Sequence, residues 1–259
     1  MTRISGQRVL ITGATAGIGE ACAVRLAEEG ADLVLWARRE DRLEELARQL
    51  SDSRGVDVDI AVVDVRDRVQ VREAADALIA GGRLPDVLIN NAGLAAGLDT
   101  IQEGDLEHWD RMIDTNVKGL LFVTRSLLPA MIERGTGHIV NIGSVAGRQV
   151  YPRGNVYNAT KFAVHALTEA MSVDLFGTAI RVSSVNPGLV ETEFSLVRFD
   201  GDEDRAATVY SDTTPLTGAD VADVVSYVVN APPAVNIADV LVLPTVQRNV
   251  HLLDRNPTS

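Results

Sequence analysis

Residues 12–19 read TGATAGIG and lie between the apolar run VLI and the amphipathic stretch EACAVRLAEEG. Glycine is favoured where a backbone must turn tightly or let another group approach closely, and the N-terminus of a helix attracts anions. The segment therefore predicts a strand-to-helix junction that holds a negatively charged ligand against main chain. A plain turn is the alternative, because the spacing of Gly13, Gly17 and Gly19 (TGxxxGxG) differs from the usual dinucleotide fingerprint.

Short apolar, β-branched runs alternate with amphipathic stretches along the chain, which is typical of a parallel sheet covered by helices on both faces. The runs are RVLIT, DLVLWA, VDIAVVDV, DVLINN, HIVNI, RVSSVN and VLVLP. After the second run, Leu43, Leu46 and Leu50 recur at helical spacing and predict a covering helix. We expect an α/β doubly wound Rossmann fold with a seven-stranded parallel sheet, in a single domain over residues 1–259.

Charge and hydropathy exclude several classes of partner. The formal net charge of −12 opposes binding to nucleic acid or to an anionic membrane surface. No run of about 18 apolar residues predicts a membrane span, and the N-terminal MTRISGQRVL lacks a signal-peptide pattern. We expect a cytoplasmic protein that acts on a small-molecule substrate, with no nucleic acid and no membrane as partner.

Cysteine and histidine give no sign of a metal or disulfide site. Cys22 is the only cysteine, so it cannot form an internal disulfide, and its apolar surroundings in sequence predict a core position. The histidines show no metal-ligand spacing, so surface or packing roles are expected for all of them. They are His108, His138, His165 and His251.

The carboxyl ends of the predicted strands are rich in polar residues and glycine, which is where a doubly wound sheet binds its ligand. After the second strand come Arg38 and Arg39, where recognition of an unphosphorylated ribose would call for Asp or Glu. Ala37 supplies no carboxylate, whereas two arginines suit a 2′-phosphate, so the pattern favours NADP(H) over NAD(H). Two solvated arginines at the start of a charged helix are the alternative.

Tyr157 and Lys161 stand four residues apart in a stretch that predicts a helix, so their side chains share one face. A nearby ammonium group favours the phenolate form of a tyrosine, and Lys161 is the expected source of a lowered Tyr157 pKa. Ser144 precedes Tyr157 by thirteen residues, at the end of a predicted strand. Its hydroxyl could hold a substrate oxygen with which Tyr157 exchanges a proton.

Taken together, TGxxxGxG, the NNAG of residues 90–93, Ser144 and YNATK resemble the short-chain dehydrogenase/reductase family over essentially the whole chain. The resemblance implies a Rossmann fold, a nicotinamide cofactor and a catalytic tetrad of Asn116, Ser144, Tyr157 and Lys161. It implies that Tyr157 is the acid/base, that Ser144 orients the substrate, and that Lys161 holds the nicotinamide ribose. Asn116 would anchor a water that connects Lys161 to solvent.

The resemblance also implies which residues contact NADP(H). Asp64 and Val65 would meet the adenine, and Val190 and Thr192 would hold the carboxamide. The full set is Gly13, Thr15, Gly17, Ile18, Gly19, Arg38, Arg39, Asp64, Val65, Asn91, Ala92, Gly93, Tyr157, Lys161, Pro187, Gly188, Val190 and Thr192.

Within this family the stretches PGLVETEFSLVRF and PAVNIADVLVLPT are similar to those of bacterial NADP-dependent 3-hydroxy acid dehydrogenases, which oxidise L-allo-threonine or L-serine. The likeness implies a substrate lid around residues 189–215 and an arginine that binds the substrate carboxylate. Arg148, Arg153 and Arg198 are the candidates, and Arg198, in the lid, is favoured to join Ser144 and Tyr157 at the substrate. Its alternative role is pairing with the acidic run that follows it.

Three functions are open at this point. The first is hydride transfer between NADP(H) and a small 3-hydroxy acid such as L-allo-threonine, L-serine or 3-hydroxyisobutyrate. The second is NADP-dependent reduction of another ketone or aldehyde. The third, a nucleotide-binding regulator without activity, would not need the proton-transferring Ser144, Tyr157 and Lys161.

We also expect the protein to form an oligomer of identical chains. The long helix predicted from LEHWDRMIDTNVKGLLFVTRSLLPAMIE and the helix of Tyr157 each carry more apolar surface than one sheet face is expected to cover. In the resembling family these helices pair across a two-fold axis, which implies a homotetramer, or a dimer as the simpler alternative.

Overall fold

The computed structural model describes residues 2–255, so the ends of the predicted 1–259 domain, residues 1 and 256–259, lie outside it. The strands in the described chain are β1 (Arg8–Thr12), β2 (Asp32–Ala37), β3 (Val58–Val62), β4 (Val87–Asn90), β5 (Gly137–Ile142), β6 (Ile180–Pro187), β7 (Val190–Glu191), β8 (Leu216–Thr217) and β9 (Asp239–Val242).

The helices follow the strands in regular alternation up to β6. They are α1 (Gly17–Glu28), α2 (Glu40–Arg54), α3 (Arg68–Ala80), α4 (Leu106–Ile113), α5 (Leu120–Arg134), α6 (Asn155–Asp174), α7 (Phe194–Arg198), α8 (Glu203–Tyr210) and α9 (Gly218–Val229). A π-helical turn, Asp114–Gly119, joins α4 to α5, and a 3-10 turn, Val145–Gly147, follows β5. The long helix expected from residue 106 is therefore interrupted by a wider turn.

The sheet has seven parallel strands in the order β3-β2-β1-β4-β5-β6-β9, which confirms the doubly wound Rossmann fold. Each of the seven apolar runs forms one strand. The third run is strand only as far as Val62, whereas strand was expected up to Val65. It ends there because the Asp64 carboxylate accepts a hydrogen bond from the backbone N–H of Arg66 at 3.0 Å and turns the chain.

Two apolar layers cover the two faces of the sheet. Alternate residues of β1 divide between them, with Val9 and Ile11 in one layer and Leu10 in the other. On the first face the sheet packs against α1, α2 and α9, and the predicted α2 leucines are buried there. On the second face it packs against α3 and α5, for example through Val71 and Leu127.

The order of the strands reverses at β1, so the loops after β1 and β4 lie side by side. The side chain of Asn91 joins them by donating to the carbonyl of Thr12 at 2.9 Å and to that of Gly13 at 3.2 Å. A Cβ on Gly19 would lie 2.4 Å from both Asn91 Nδ2 and the Gly13 carbonyl oxygen, so only glycine lets α1 approach this junction. The crevice for a ligand is thereby fixed above the centre of the sheet.

The residues predicted to be inert behave as packing groups. Cys22 is fully buried, and burial raises the pKa of its thiol to about 12. His138 is buried against the Ser183 hydroxyl, 2.7 Å from Nε2, and burial lowers its pKa to about 3. In the part of the chain that the structure describes, no cluster of side chains could hold a metal ion. Nor does any helix between residues 2 and 255 have the length and apolar character to span a bilayer.

Candidate active site

A cavity of about 440 Å³ lies at the carboxyl ends of the central strands, between the glycine-rich loop and the lid helices α7 and α8. Every residue predicted to contact a cofactor lines it, apart from Gly19, which lies beneath the loop at the junction of β1 and β4. Ser144, Tyr157, Lys161 and Arg198 line the same cavity. Asn116 does not line it, but its side chain is hydrogen-bonded to Leu94, which does.

The glycine-rich loop is shaped for a phosphate group. Gly13 and Gly17 have φ of +66° and +56°, a backbone conformation that residues with a side chain rarely adopt. A Cβ on Gly13 would lie 3.0 Å from the Cα of Ala92, so the loop packs tightly against the β4 end. The helix α1 begins here after Ala16, whose side chain cannot cap it, and its first amides border the cavity. The loop therefore fits a pyrophosphate held by backbone N–H groups and the helix dipole.

The end of β2 presents two arginines to the rim of the cavity. Arg39 is fixed in place, because its guanidinium donates to the Thr15 carbonyl at 3.0 Å and its Nη1 contacts the Glu193 carboxylate at 3.0 Å. Arg38 is exposed beside it, and Ala37 contributes no carboxylate. Such an arrangement of cations suits a ribose phosphate and fits NADP(H).

Ser144 and Tyr157 meet in the inner part of the cavity. Ser144 caps the 3-10 turn after β5, where its Oγ accepts from the N–H of Ala146 at 3.1 Å. It also interacts with the Tyr157 hydroxyl and lowers the pKa of that group. Burial outweighs this effect and the charge of Arg198, so the net pKa of Tyr157 is raised and the phenol keeps its proton at neutral pH.

Lys161 follows Tyr157 by one helical turn of α6 and is almost completely buried. Its Nζ donates to the carbonyl of Ile142, the last residue of β5, at 2.9 Å. Burial lowers the pKa of Lys161 to about 8. The expected lowering of the Tyr157 pKa by Lys161 is wrong for this geometry, since desolvation dominates both groups.

Asn116 lies in the π-helical turn, a feature often found at functional sites. Its Oδ1 accepts from the N–H of Leu94 at 2.8 Å, and its Nδ2 donates to the Leu94 carbonyl at 2.8 Å and to Thr160 Oγ1 at 3.0 Å. Thr160 is the neighbour of Lys161 on α6. Asn116 therefore clamps the loop after β4 to the helix that carries Tyr157 and Lys161.

Arg198, the last residue of α7, reaches the same inner end. Its guanidinium carbon lies 5.5 Å from the ring centroids of both Tyr151 and Tyr157. It donates to the Tyr151 hydroxyl at 2.6 Å and to the Gly97 carbonyl at 3.1 Å. Within residues 2–255 no carboxylate forms an ion pair with it, so pairing with the acidic run after it is not observed.

The other two candidate arginines lie elsewhere. Arg148 forms an ion pair with Asp239 of β9, and Arg153 lies outside the main cavity, in a surface depression beside Tyr151. Of the three, Arg198 alone lines the cavity that contains Tyr157.

Several lining residues were missed from the sequence. Phe194 packs edge-on against the Tyr157 ring, with centroids 5.6 Å apart, and Glu193 contacts the arginines at the rim. Both follow Thr192 directly in the sequence. Their position next to a predicted cofactor contact is therefore the signal that could have indicated them. Gln247 and Val250, which follow the last strand, also line the cavity, and no local pattern indicated them.

The chain is similar to several known proteins. A family model described as short chain dehydrogenase matches residues 7–202. The NADP-dependent 3-hydroxy acid dehydrogenase YdfG of Salmonella typhi is 47% identical over 240 residues, which cover 92% of this chain and 95% of that protein. Sulfoacetaldehyde reductase 2 of Chromohalobacter salexigens is 48% identical, with 92% of this chain and 94% of that protein covered.

Solved structures are similar too. The closed form of serine dehydrogenase complexed with NADP⁺ superimposes with a TM-score of 0.88 at 45% identity, covering 93% of this chain and 96% of that chain. The likeness thus extends beyond the residues that the family model matches.

The buried Lys161 predicts a specific pH dependence of stability. Its pKa falls from 10.5 to about 8 on folding, so between these values the unfolded chain binds more protons. The free energy of unfolding should therefore rise by up to about 3 kcal/mol as the pH increases from 8 to 10.5. Lys161→Met should lack this rise, as measured by urea denaturation at a series of pH values.

Lys118 is the matched control, because it is exposed and its pKa is raised by the hydrogen bond to Asp114. Lys118→Met should keep the wild-type rise. Identical pH profiles for wild type and Lys161→Met would show that Lys161 is not desolvated.

Proposed function

The chain belongs to the short-chain dehydrogenase family, and from this premise we propose that it is an NADP-dependent oxidoreductase acting on a small 3-hydroxy acid such as L-allo-threonine, L-serine or 3-hydroxyisobutyrate. The observation that carries the proposal is the position of Arg198, a cation over the Tyr157 ring with no carboxylate partner in the described chain. A substrate carboxylate on Arg198 would place the carbinol carbon C3, two carbons away from that carboxylate, close to the acid/base residue.

The cofactor role rests on residues that already surround the cavity. The glycine-rich loop and the start of α1 would hold the pyrophosphate, and Arg38 and Arg39 the 2′-phosphate. Val190 and Thr192, between β6 and α7, would contact the nicotinamide end. NADP(H), when bound, supplies or accepts the hydride.

The proton is moved by the protein. The Tyr157 phenol, protonated at neutral pH, would donate to the carbonyl oxygen of a 3-oxo acid, and the Ser144 hydroxyl would hold that oxygen in reach. Lys161, on the same face of α6, would position the ribose and return the proton to Tyr157. Both N–H donors of Asn116 are engaged, so a water could be held only through one of its oxygens.

A second candidate is the reduction of a small aldehyde that bears a sulfonate. Two relatives from Chromohalobacter salexigens, at 48% and 45% identity, are sulfoacetaldehyde reductases. A sulfonate presents three oxygen acceptors to a guanidinium, so Arg198 would serve that substrate equally well. The two candidates share the chemistry at Tyr157 and differ in the anion.

We further propose a homotetramer, with a dimer as the simpler alternative. Leu121 and Ile132 on α5 and Phe162 on α6 are each more than one-third exposed. Val173 near the end of α6 and Phe176 just beyond it are 73% and 93% exposed. Apolar side chains gathered on two neighbouring helices are typical of a protein interface.

Tyr157→Phe tests the chemistry. The ring and its packing against Phe194 are kept while the transferable proton is lost, so turnover should fall by about 10²- to 10⁴-fold. Binding of NADPH, followed by its fluorescence, should stay within about twofold of wild type. Retention of most of the turnover would overturn the role of Tyr157.

Arg198→Met tests the substrate class. Loss of a charged hydrogen bond should lower kcat/KM for L-serine, L-allo-threonine or sulfoacetaldehyde by about ten- to hundredfold. An uncharged alcohol or ketone of similar size should be affected far less. Arg153→Met removes the same charge outside the cavity and should leave both kinds of substrate unchanged; equal losses for charged and uncharged substrates in Arg198→Met would refute the anion site.

Light scattering tests the assembly, with a mass of four chains expected at micromolar concentration. Phe162→Glu on α6 should shift the mass towards smaller species, because a charge would be buried in the interface. Ile79→Glu on α3, at a side chain of similar exposure outside that interface, is the control and should not. A wild type that is monomeric throughout contradicts the proposal.

A further inference from the structure

Glu193 links the lid to the arginines at the rim of the cavity. It is the residue before α7, and its carboxylate accepts hydrogen bonds from Arg39 Nη1 at 3.0 Å and from Arg42 Nη1 at 2.7 Å. These two guanidinium groups lower the pKa of Glu193, so the side chain is anionic at neutral pH. The contact spans more than 150 residues of sequence, between the start of α2 and the lid.

The same guanidinium of Arg39 faces the phosphate end of the cavity. Its Nε and Nη2 donate to Thr15 of the glycine-rich loop, and one of the two N–H groups of Nη1 donates to Glu193, so a single Nη1 N–H remains for another anion. Arg38, Arg39 and Glu193 all line the cavity. A phosphate monoester brings close to two negative charges, so a 2′-phosphate bound to this arginine would be repelled by the Glu193 carboxylate.

We propose that Glu193 is an internal competitor for the 2′-phosphate, so that its carboxylate sets how much more tightly the protein binds NADP(H) than NAD(H). The inference rests on the proposed cofactor. When the 2′-phosphate engages Arg39, Glu193 must leave it, and Arg42 together with solvent takes up the carboxylate. An NAD(H) molecule, which lacks the phosphate, leaves the contact intact.

The competition also connects the cofactor end of the cavity with its substrate end. Glu193 stands at the N-terminal end of α7, and Arg198 is the residue at its C-terminal end. The Arg198 end is held by the Gly97 main chain through two hydrogen bonds, at 2.9 and 3.1 Å. Release of Glu193 therefore removes the contact between the cofactor end of α7 and the rim arginines, while the substrate end stays anchored.

The experiment is a calorimetric titration of wild type and Glu193→Gln with NADP⁺, NAD⁺ and 2′,5′-ADP, without substrate. Glutamine keeps the shape of Glu193 but neither repels the phosphate nor forms an ion pair. The variant should bind NADP⁺ and 2′,5′-ADP up to about fivefold more tightly, the range expected for loss of one exposed ion pair. Its Kd for NAD⁺ should not change.

Two controls separate competition from a general charge effect. Glu191→Gln removes the same charge two residues earlier, from an exposed side chain that contacts neither Arg39 nor Arg42, and should leave all three Kd values unchanged. In an Arg39→Met background, Glu193→Gln should no longer tighten 2′,5′-ADP binding, because the shared cation is gone.

The outcomes also separate this proposal from the cofactor assignment. If wild type binds NADP⁺ no better than NAD⁺, the cofactor assignment fails and the competition with it. If wild type prefers NADP⁺ but Glu193→Gln binds it equally or more weakly, Glu193 is not a competitor, whereas the assignment of NADP(H) stands. An equal gain for NAD⁺ would likewise reject the proposal.

Discussion

Strand β1 is hydrogen-bonded on both sides, to β2 and to β4, and this double pairing determines where every functional group can lie. The chain leaves β1 towards one face of the sheet and leaves β4 towards the other, so a crevice opens between the two loops. Asn91 closes the base of the crevice, and Gly19 lets α1 come close enough to aim its N-terminus into it. The phosphate site, the pocket for the reacting groups and the lid are all built around this junction.

Burial acts in opposite directions on the two titrating residues of α6. It raises the pKa of Tyr157 and lowers that of Lys161, because it disfavours the charged form of each. The phenol therefore holds its proton at neutral pH, which suits reduction of a carbonyl. Oxidation of an alcohol needs the phenolate, and Ser144 and Arg198 are the protein groups that favour it here. The balance between carbonyl reduction and alcohol oxidation thus depends on the charges around Tyr157 rather than on Lys161 alone.

The lid helix α7 is only five residues long, yet each end contacts a different functional region. Glu193, just before it, binds the arginines of the rim, and Arg198 at its end packs over the Tyr157 ring. The negative Glu193 therefore lies next to the site proposed for the 2′-phosphate, a group of the same charge. The positive Arg198 lies next to the site proposed for the substrate anion, a group of the opposite charge. This short helix consequently contributes side chains to both ends of the cavity.

Periodicity and local motifs determined the fold and most of the residues around the cavity. Seven apolar runs, the glycine-rich loop and the spacing of Tyr157 and Lys161 are local patterns, and the sheet they predict is the one observed. Each motif follows a strand, and parallel strands end at one edge, so the topology brings the motifs together. This is why the sequence could predict that Ser144 and Tyr157 lie together at one end of the sheet.

Only the tertiary structure decided the pKa values of the buried residues and the contacts between distant segments. Desolvation sets the pKa values of Tyr157 and Lys161, and it depends on every neighbour rather than on the four-residue spacing. The contact of Arg198 with the Tyr157 ring, and that of Glu193 with Arg39, arise between segments that are distant along the chain. No local pattern encodes such pairs, because they exist only once the lid has packed over the end of the sheet.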